Sequence, residues 1–254
     1  MLANVESKIF AMTQQTLEQS ATFPKQIQAM FGAIAPQYDF LNGLLSFGRD
    51  RYWRKAAVDL LAPRPGERIL DVATGTADVA LEIACRDLDD IRVIGVDFSF
   101  KMLQLARRKI RGKRLDRFIS LQAGDGENLP FPDNRFHGVT SAFGIRNFND
   151  IEKGLSEKWR VLKPGGKVVI AEFSLPKSFI FRFVYLFYFG LALPLIGRLI
   201  SGHSVAYSYL PESVAEFPRQ AEFARIMEKC GFKDVAYRDL TCGITTIYTG
   251  CKDA

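Results

Sequence analysis

Between residues 68 and 173, short apolar runs alternate with segments of helical spacing, and that alternation leaves few architectures open. RILDV at 68–72, RVIGVD at 92–97, FISLQAG at 118–124, FHGVTSAF at 136–143 and KVVIAEF at 167–173 read as strands. Segments at 78–86, 100–110 and 150–162 read as helices, the second with Met102, Leu103, Ala106 and Ile110 along one stripe. The third closes on Lys163-Pro164-Gly165-Gly166, a stop and a turn. Strands joined through helices of this length run parallel by right-handed crossovers, with both faces of the sheet covered. The expectation is a doubly wound α/β fold.

The C-terminal part follows the same logic with one change. A helix at 219–230 stops at Cys230-Gly231-Phe232, and KDVAYRDL then leads into TCGITTIYTGCK with only a short link. A parallel return needs a crossover of a dozen or more residues, so these two strands are antiparallel and one strand of the sheet is reversed. There is no internal repeat and no low-complexity linker, and 254 residues suit one domain spanning 1–254. Residues 1–48 are expected as an N-terminal helical cap and 175–215 as an insertion, both around the ligand face.

Composition narrows the class. With 48% hydrophobic and 24% charged residues the chain can build a core, which excludes global disorder. Cys85, Cys230, Cys242 and Cys251 form no CxxC pair, and only His137 and His203 accompany them, so no metal site is expected. The cysteines read as small core residues in a reducing, cytoplasmic interior. Residues 1–30 lack the apolar stretch of a secretory signal. The longest apolar run, 183–197, has fifteen residues and contains Pro194, short of the roughly 20 needed to span a bilayer. A net charge of +6 raises the question of nucleic acid, but the basic residues are interspersed with acids except around Arg107, Arg108, Lys109, Arg111, Lys113 and Arg114. That run reads as a solvated helix end and loop, so no nucleic-acid partner is expected.

Ligands of open parallel sheets bind beyond the carboxyl ends of the strands, at the switch beside the first strand. There the sequence is Leu70-Asp71-Val72-Ala73-Thr74-Gly75-Thr76-Ala77-Asp78. Gly75 lets backbone approach a ligand, but a dinucleotide fingerprint needs three such glycines and only this one is present. Asp97 ends the second strand 22 residues later, about where an acid accepts hydrogen bonds from a ribose diol. Its alternative role is to cap the next helix, for which Ser99 serves equally well. Asp125, flanked by Gly124 and Gly126 after the third strand, can reach an adenine amino group.

This constellation, with the reversed strand and Leu162-Lys163-Pro164-Gly165-Gly166, resembles the Rossmann-like class I S-adenosylmethionine-dependent methyltransferases. Tyr38-Asp39-Phe40-Leu41-Asn42, Ser46-Phe47-Gly48, Leu129-Pro130-Phe131-Pro132-Asp133, Phe143-Gly144-Ile145-Arg146-Asn147 and Tyr207-Ser208-Tyr209-Leu210-Pro211 are similar to the ubiquinone/menaquinone-biosynthesis C-methyltransferase family, over about residues 28–252. The resemblance implies C-methylation of a polyprenylated hydroquinone. It implies S-adenosylmethionine as cofactor, bound by Asp71, Gly75, Thr76, Asp97, Asp125 and Gly126. It places Arg146, Asn147 and Tyr38 at the acceptor end. Thr74 and Ala77 stand where the family usually has glycines, and Ala142 where a serine is frequent. A non-glycine residue does not take positive φ freely, yet with Gly75, Thr76 and Asp78 in place cofactor binding is expected to survive.

Methyl transfer from a sulfonium is a one-step displacement, so the protein must align the partners and make the ring carbon nucleophilic. A phenol with a pKa near 10 needs a positive charge or a base to favour its anion. Arg146 suits that electrostatic role, and Asn147 can orient the ring oxygen or a water. In isolation Arg146 would read as half of a surface salt bridge. His137 reads as structural, at the sheet edge away from the ligand, and His203 as a candidate substrate contact. Phe179, Phe181, Phe183, Tyr185, Phe187, Tyr188 and Phe189 crowd into eleven residues of the insertion, with Lys177, Arg182 and Arg198 around them. They suggest an apolar wall for the prenyl tail and a peripheral membrane contact through 179–198. Two alternatives remain open: a methyltransferase for another lipophilic acceptor such as a sterol, and a non-catalytic cofactor- or nucleic-acid-binding module. The sequence leaves the oligomeric state open, a dimer included.

Overall fold

A computed structural model of the chain describes residues 38–179, 181, 183, 185, 211 and 213–254. The apolar runs form β1 (Arg68–Val72), β2 (Arg92–Asp97), β3 (Ile119–Ala123), β4 (Phe136–Ala142), β5 (Leu162–Phe173), β6 (Lys233–Leu240) and β7 (Thr245–Cys251). They make one seven-stranded sheet in the order β3-β2-β1-β4-β5-β7-β6. β1 pairs in parallel with β2 on one side and β4 on the other, which puts the switch point at the carboxyl end of β1. β7 runs antiparallel to both β5 and β6, so it is the one reversed strand.

The helices are α1 (Tyr38–Leu45), α2 (Arg49–Leu61), α3 (Asp78–Ala84), α4 (Phe100–Gly112), α5 (Ile151–Val161) and α6 (Gln220–Lys229). Strand residues alternate between two cores. Ile69 and Val93 pack with Val58, Leu61, Ile83, Ala106 and Ile110 from α2, α3 and α4. Leu70 and Val139 pack on the other face with Leu155, Val161, Phe223 and Met227 from α5 and α6. Both faces of the parallel region are therefore covered, as βαβ winding requires. Ser99 caps α4 by accepting from Met102 N, and Asp150 caps α5 by accepting from Lys153 N.

Two details depart from the sequence reading. The Leu162-Lys163-Pro164-Gly165-Gly166 segment does end α5, but it does not leave the sheet: Leu162 is in register with Phe136, and the ladder resumes at Lys167 opposite Gly138. Gly165 N donates to Lys252 O and Lys252 N donates to Gly166 O, so the C-terminal tail satisfies the turn's backbone. The cysteines are not core residues either. All are free, Cys85 and Cys242 are exposed, and Cys230 and Cys251 are half-buried. Cys85 caps the end of α3 and Cys242 sits in a turn at φ +56°, positions set by backbone geometry and not by apolar packing. The insertion at 175–215 and the first 37 residues lie mostly or wholly outside the described residues, His203 and Phe187 among them.

Candidate active site

A cleft of about 850 Å3, open mouth included, lies beyond the carboxyl ends of β1 to β4. Gly75, Asp97, Asp125, Gly126 and Asn147 all line it, with Phe98, Met102 and Phe148 as apolar wall. The β1–α3 turn holds three left-handed residues, Ala73 at φ +57°, Gly75 at +55° and Ala77 at +68°. At Gly75 a side chain would meet nothing within 4 Å, so its backbone faces open space.

Asp97 Oδ2 accepts from Gly75 N at 2.8 Å and Oδ1 from Ser99 N at 2.8 Å. Ser99 itself caps the helix, which frees Asp97 from that duty and leaves it as the link between the β1–α3 turn and β2. Asp71 is 1% exposed and accepts from Thr74 Oγ1 at 2.6 Å and Thr140 Oγ1 at 2.8 Å. Burial pushes both carboxyls up from an ordinary 3.8 to about 6, against the hydrogen bonds that hold them down. Thr74 therefore has a role of its own where a glycine is usual: its hydroxyl satisfies an almost fully buried carboxylate.

Thr76 lines a smaller recess of about 360 Å3 on the other side of the turn, with Arg54, Asp71, Thr74 and Asp78. Its hydroxyl donates to Asp39 Oδ1 at 2.6 Å and accepts from Lys109 Nζ at 3.0 Å. Lys109 was assigned to a solvated basic run; the structure turns it inward, toward Asp39 on α1 and Asp78 on α3. The available signal was position, since Lys109 lies three residues beyond Ala106 and seven beyond Met102, on the edge of the apolar stripe.

Arg146 stands apart from the cleft lining. It sits on a 3-10 turn, Ile145–Asn147, where its Nη1 donates to Glu172 Oε1 and to Phe143 O, each at 2.6 Å. The side chains are 6% and 0% exposed, so this is a buried ion pair and not a surface one. Glu172 Oε2 also accepts from Arg146 N at 3.3 Å, and Oε1 from Phe173 N at 2.9 Å. The pair thus fixes the turn that carries Asn147 to the cleft. Tyr185, 4% exposed, comes from the insertion to within electrostatic reach of Arg146 and Glu172, and burial raises its phenol pKa. Glu172 was missed by sequence reasoning, although a lone acid in KVVIAEF at the ligand end of a buried strand was the signal. Tyr38 opens α1, and its side chain lies outside the described residues.

Phe148 was missed too. Its ring fills the space beside two glycines, since a Cβ on Gly126 would lie 2.4 Å from it and one on Gly154 would lie 2.3 Å from it. Lys158 Nζ lies 4.4 Å from the ring centroid and donates to Gly154 O at 3.2 Å. This lysine is fully buried, and burial drives it down to about 7, partly offset by Glu127 and Asp125 nearby. His137 accepts from Arg68 N through Nδ1 at the amino end of β1, away from the cleft.

The model of the ubiE/COQ5 methyltransferase family matches residues 18–252. The chain belongs to the ubiE/COQ5 methyltransferase family. It is 54% identical over 228 residues to the ubiquinone/menaquinone biosynthesis C-methyltransferase UbiE of Geobacter sulfurreducens, covering 90% of this chain and 89% of that one. It is 48% identical over 227 residues to the demethylmenaquinone methyltransferase of Deinococcus radiodurans, covering 89% and 92%. Among solved structures, the [4+2]-cyclase SpnF superposes with a TM-score of 0.68 at 15% identity, over 90% of this chain and 96% of that one. This last likeness concerns the fold alone, and a cyclase on the same scaffold as a ubiE/COQ5 methyltransferase shows why function is argued from the site.

Proposed function

We propose that this ubiE/COQ5-family enzyme transfers a methyl group from S-adenosylmethionine to a ring carbon of a polyprenylated hydroquinone. The observation that carries the reading is the convergence of Asp97, Asp125 and Asn147 on one cleft at the β1/β4 switch point, in a chain about half identical to quinone-biosynthesis methyltransferases. The cleft fits an adenosyl group: a carboxylate at the β2 end for the ribose diol, Asp125 and the amides beside it for the base, and Phe98 and Met102 as apolar sides. The smaller recess offers the Arg54 guanidinium and the Asp71 carboxylate, opposite charges that suit the amino-acid end of the same cofactor. S-adenosylmethionine would supply an electrophilic methyl group on a sulfonium.

The residues of the chain do the rest. Asn147 holds the acceptor's ring oxygen at the cleft, and the Arg146–Glu172 pair behind it keeps that turn rigid. With its charge largely balanced by Glu172, Arg146 contributes orientation and a fixed field more than a free cation. Phe179, Phe181 and Phe183 are exposed, by 83%, 50% and 66%. They support a peripheral contact with the cytoplasmic face of a membrane, where a prenyl tail resides. Among the described residues no helix is long and apolar enough to cross a membrane. Residues 1–48 and 175–215 are proposed to border the acceptor end of a single domain.

The test is transfer of label from S-adenosylmethionine to reduced demethylmenaquinone, beside its oxidised form and a reduced benzoquinol. Methylation of a reduced acceptor only is expected, because the oxidised ring lacks the phenol. Cofactor binding without transfer to either reduced acceptor would overturn the proposal.

A further inference from the structure

The group with the most demanding geometry outside the cleft is the Lys109 ammonium. An ammonium has three N–H donors. Here three acceptors meet it, from three different elements: Asp39 Oδ2 on α1 at 2.9 Å, Thr76 Oγ1 in the cofactor turn at 3.0 Å, and Asp78 Oδ1 on α3. Lys109 comes from a fourth element, the last turn of α4. Thr76 closes the circuit by donating to Asp39 Oδ1. On the far side Asp78 Oδ2 meets Arg54 at 3.2 Å, and Arg54 meets Asp50 at 2.7 Å, so α2 is tied in as well. The lysine side chain is 26% exposed, Asp78 27% and Asp39 45%, so the contact with Asp78 is partly desolvated and the one with Asp39 is nearer solvent and more open to screening by salt.

α1 is short and leaves Phe40 63% and Leu44 43% exposed. An eight-residue helix has little stability of its own and depends on what holds it. Without Lys109, the Asp39 and Asp78 carboxylates would repel each other beside the turn. We propose that Lys109 is a positioning residue: it clasps α1, and with it the acceptor-end residue Tyr38, to the turn that binds the cofactor. The placement of Tyr38 at the acceptor end rests on the function proposed above. The clasp itself does not, and this difference separates the two in experiment. A further consequence is coupling. A cofactor that orders the β1–α3 turn also orders α1, and by reciprocity a bound acceptor tightens the cofactor.

Hydrogen exchange of residues 38–45 in the full chain, with and without S-adenosylmethionine, tests the clasp independently of activity. In Lys109→Met, exchange of α1 amides should rise by about tenfold while those of α3 and β1 stay unchanged, because only the local opening of α1 is affected. Wild-type α1 should gain protection on adding the cofactor, and Lys109→Met should not. Lys109→Arg, which keeps the charge and two or more donors, should restore most of the protection. Asp39→Asn should mimic Lys109→Met, and the double variant should be no worse than either single one. In turnover, kcat/KM for the quinol should fall roughly tenfold or more while the dissociation constant for the cofactor moves less than about threefold. Unchanged α1 exchange in Lys109→Met would overturn the clasp. So would a uniform rise in exchange across the sheet, which marks a global stability residue. If the wild type methylates no quinol, the exchange result still decides the clasp and only the acceptor reading falls.

Discussion

The two halves of the site hold their charges in different ways. On the side proposed for the cofactor, Asp71 and Asp97 are buried carboxylates that hydroxyls and backbone amides satisfy. On the side proposed for the acceptor, Glu172 is buried more completely and has a guanidinium at 2.6 Å. Neutral donors leave a carboxylate's charge available to a ligand, whereas an ion pair consumes it. The first arrangement suits residues that must meet a cationic cofactor, and the second suits residues that must hold a turn still.

Breaking the acceptor pair should have the largest effect. Glu172→Ala leaves Arg146 buried without its partner, a loss of about 3–5 kcal/mol. In a chain of this length that is a fall in Tm on the order of 10 °C by calorimetry. The combined Glu172→Met, Arg146→Leu variant should recover most of that stability, yet methyl transfer should stay reduced by a factor of about 100 or more, because the turn loses its aim. Recovery of turnover together with Tm would show that the pair contributes stability alone.

The cofactor side should break more gently. Asp97→Asn removes the charge but keeps one acceptor, and it turns an amide toward Gly75 N. Titration calorimetry should show S-adenosylmethionine binding weakened by about tenfold or more, with Tm little changed. The pH dependence follows the same logic. Both carboxyls titrate near 6 in the fold against an ordinary 3.8, so the native state binds more protons across that window. The contribution of these groups to stability is therefore greatest at low pH and declines as pH rises from about 3.8 to 6. Affinity for the cofactor should move the opposite way, falling as pH drops below about 6 and the carboxylates are lost. Flat affinity from pH 7.5 to 5 would argue that neither charge meets the ligand.

The smallest effect belongs to Ala77, which is fully buried at φ +68°. Glycine there relieves about 1 kcal/mol of left-handed strain. It also forfeits a buried methyl worth roughly 0.8 kcal/mol and loosens the unfolded chain. Ala77→Gly should therefore shift Tm by no more than a degree or two. Ala77→Val, β-branched at positive φ, should cost several times more.

Strand positions and directions were legible because period-two and period-3.6 patterns report the burial of each face, and the parallel region of the sheet is covered on both. The turn between β1 and α3 was legible as a turn beside the cleft because its residues act close to where they lie in the chain. Lys109, Glu172 and Phe148 were not, for a shared reason. Each acts on a residue that the fold brings from elsewhere: Lys109 reaches Asp39 across 70 residues, and Arg146 and Glu172 are 26 apart. A charge that looks solvated in a basic run, or accidental in an apolar strand, shows its role only when its partner is in place. The cysteines failed in the opposite direction, since apolar character predicts burial only where backbone geometry permits it.

Gly126, Phe148 and Gly154 form a lock of three pieces. The ring fills the space that the two glycines leave, one in the loop after β3 and one inside α5, where glycine costs about 1 kcal/mol relative to alanine. No one of the three can change size while the other two stay as they are: a larger residue at either glycine strikes the ring, and a smaller one at 148 opens a void. The cleft wall on this side is thus closed to stepwise alteration. A wider or narrower cleft on this side would have to be reached by exchanging all three residues together.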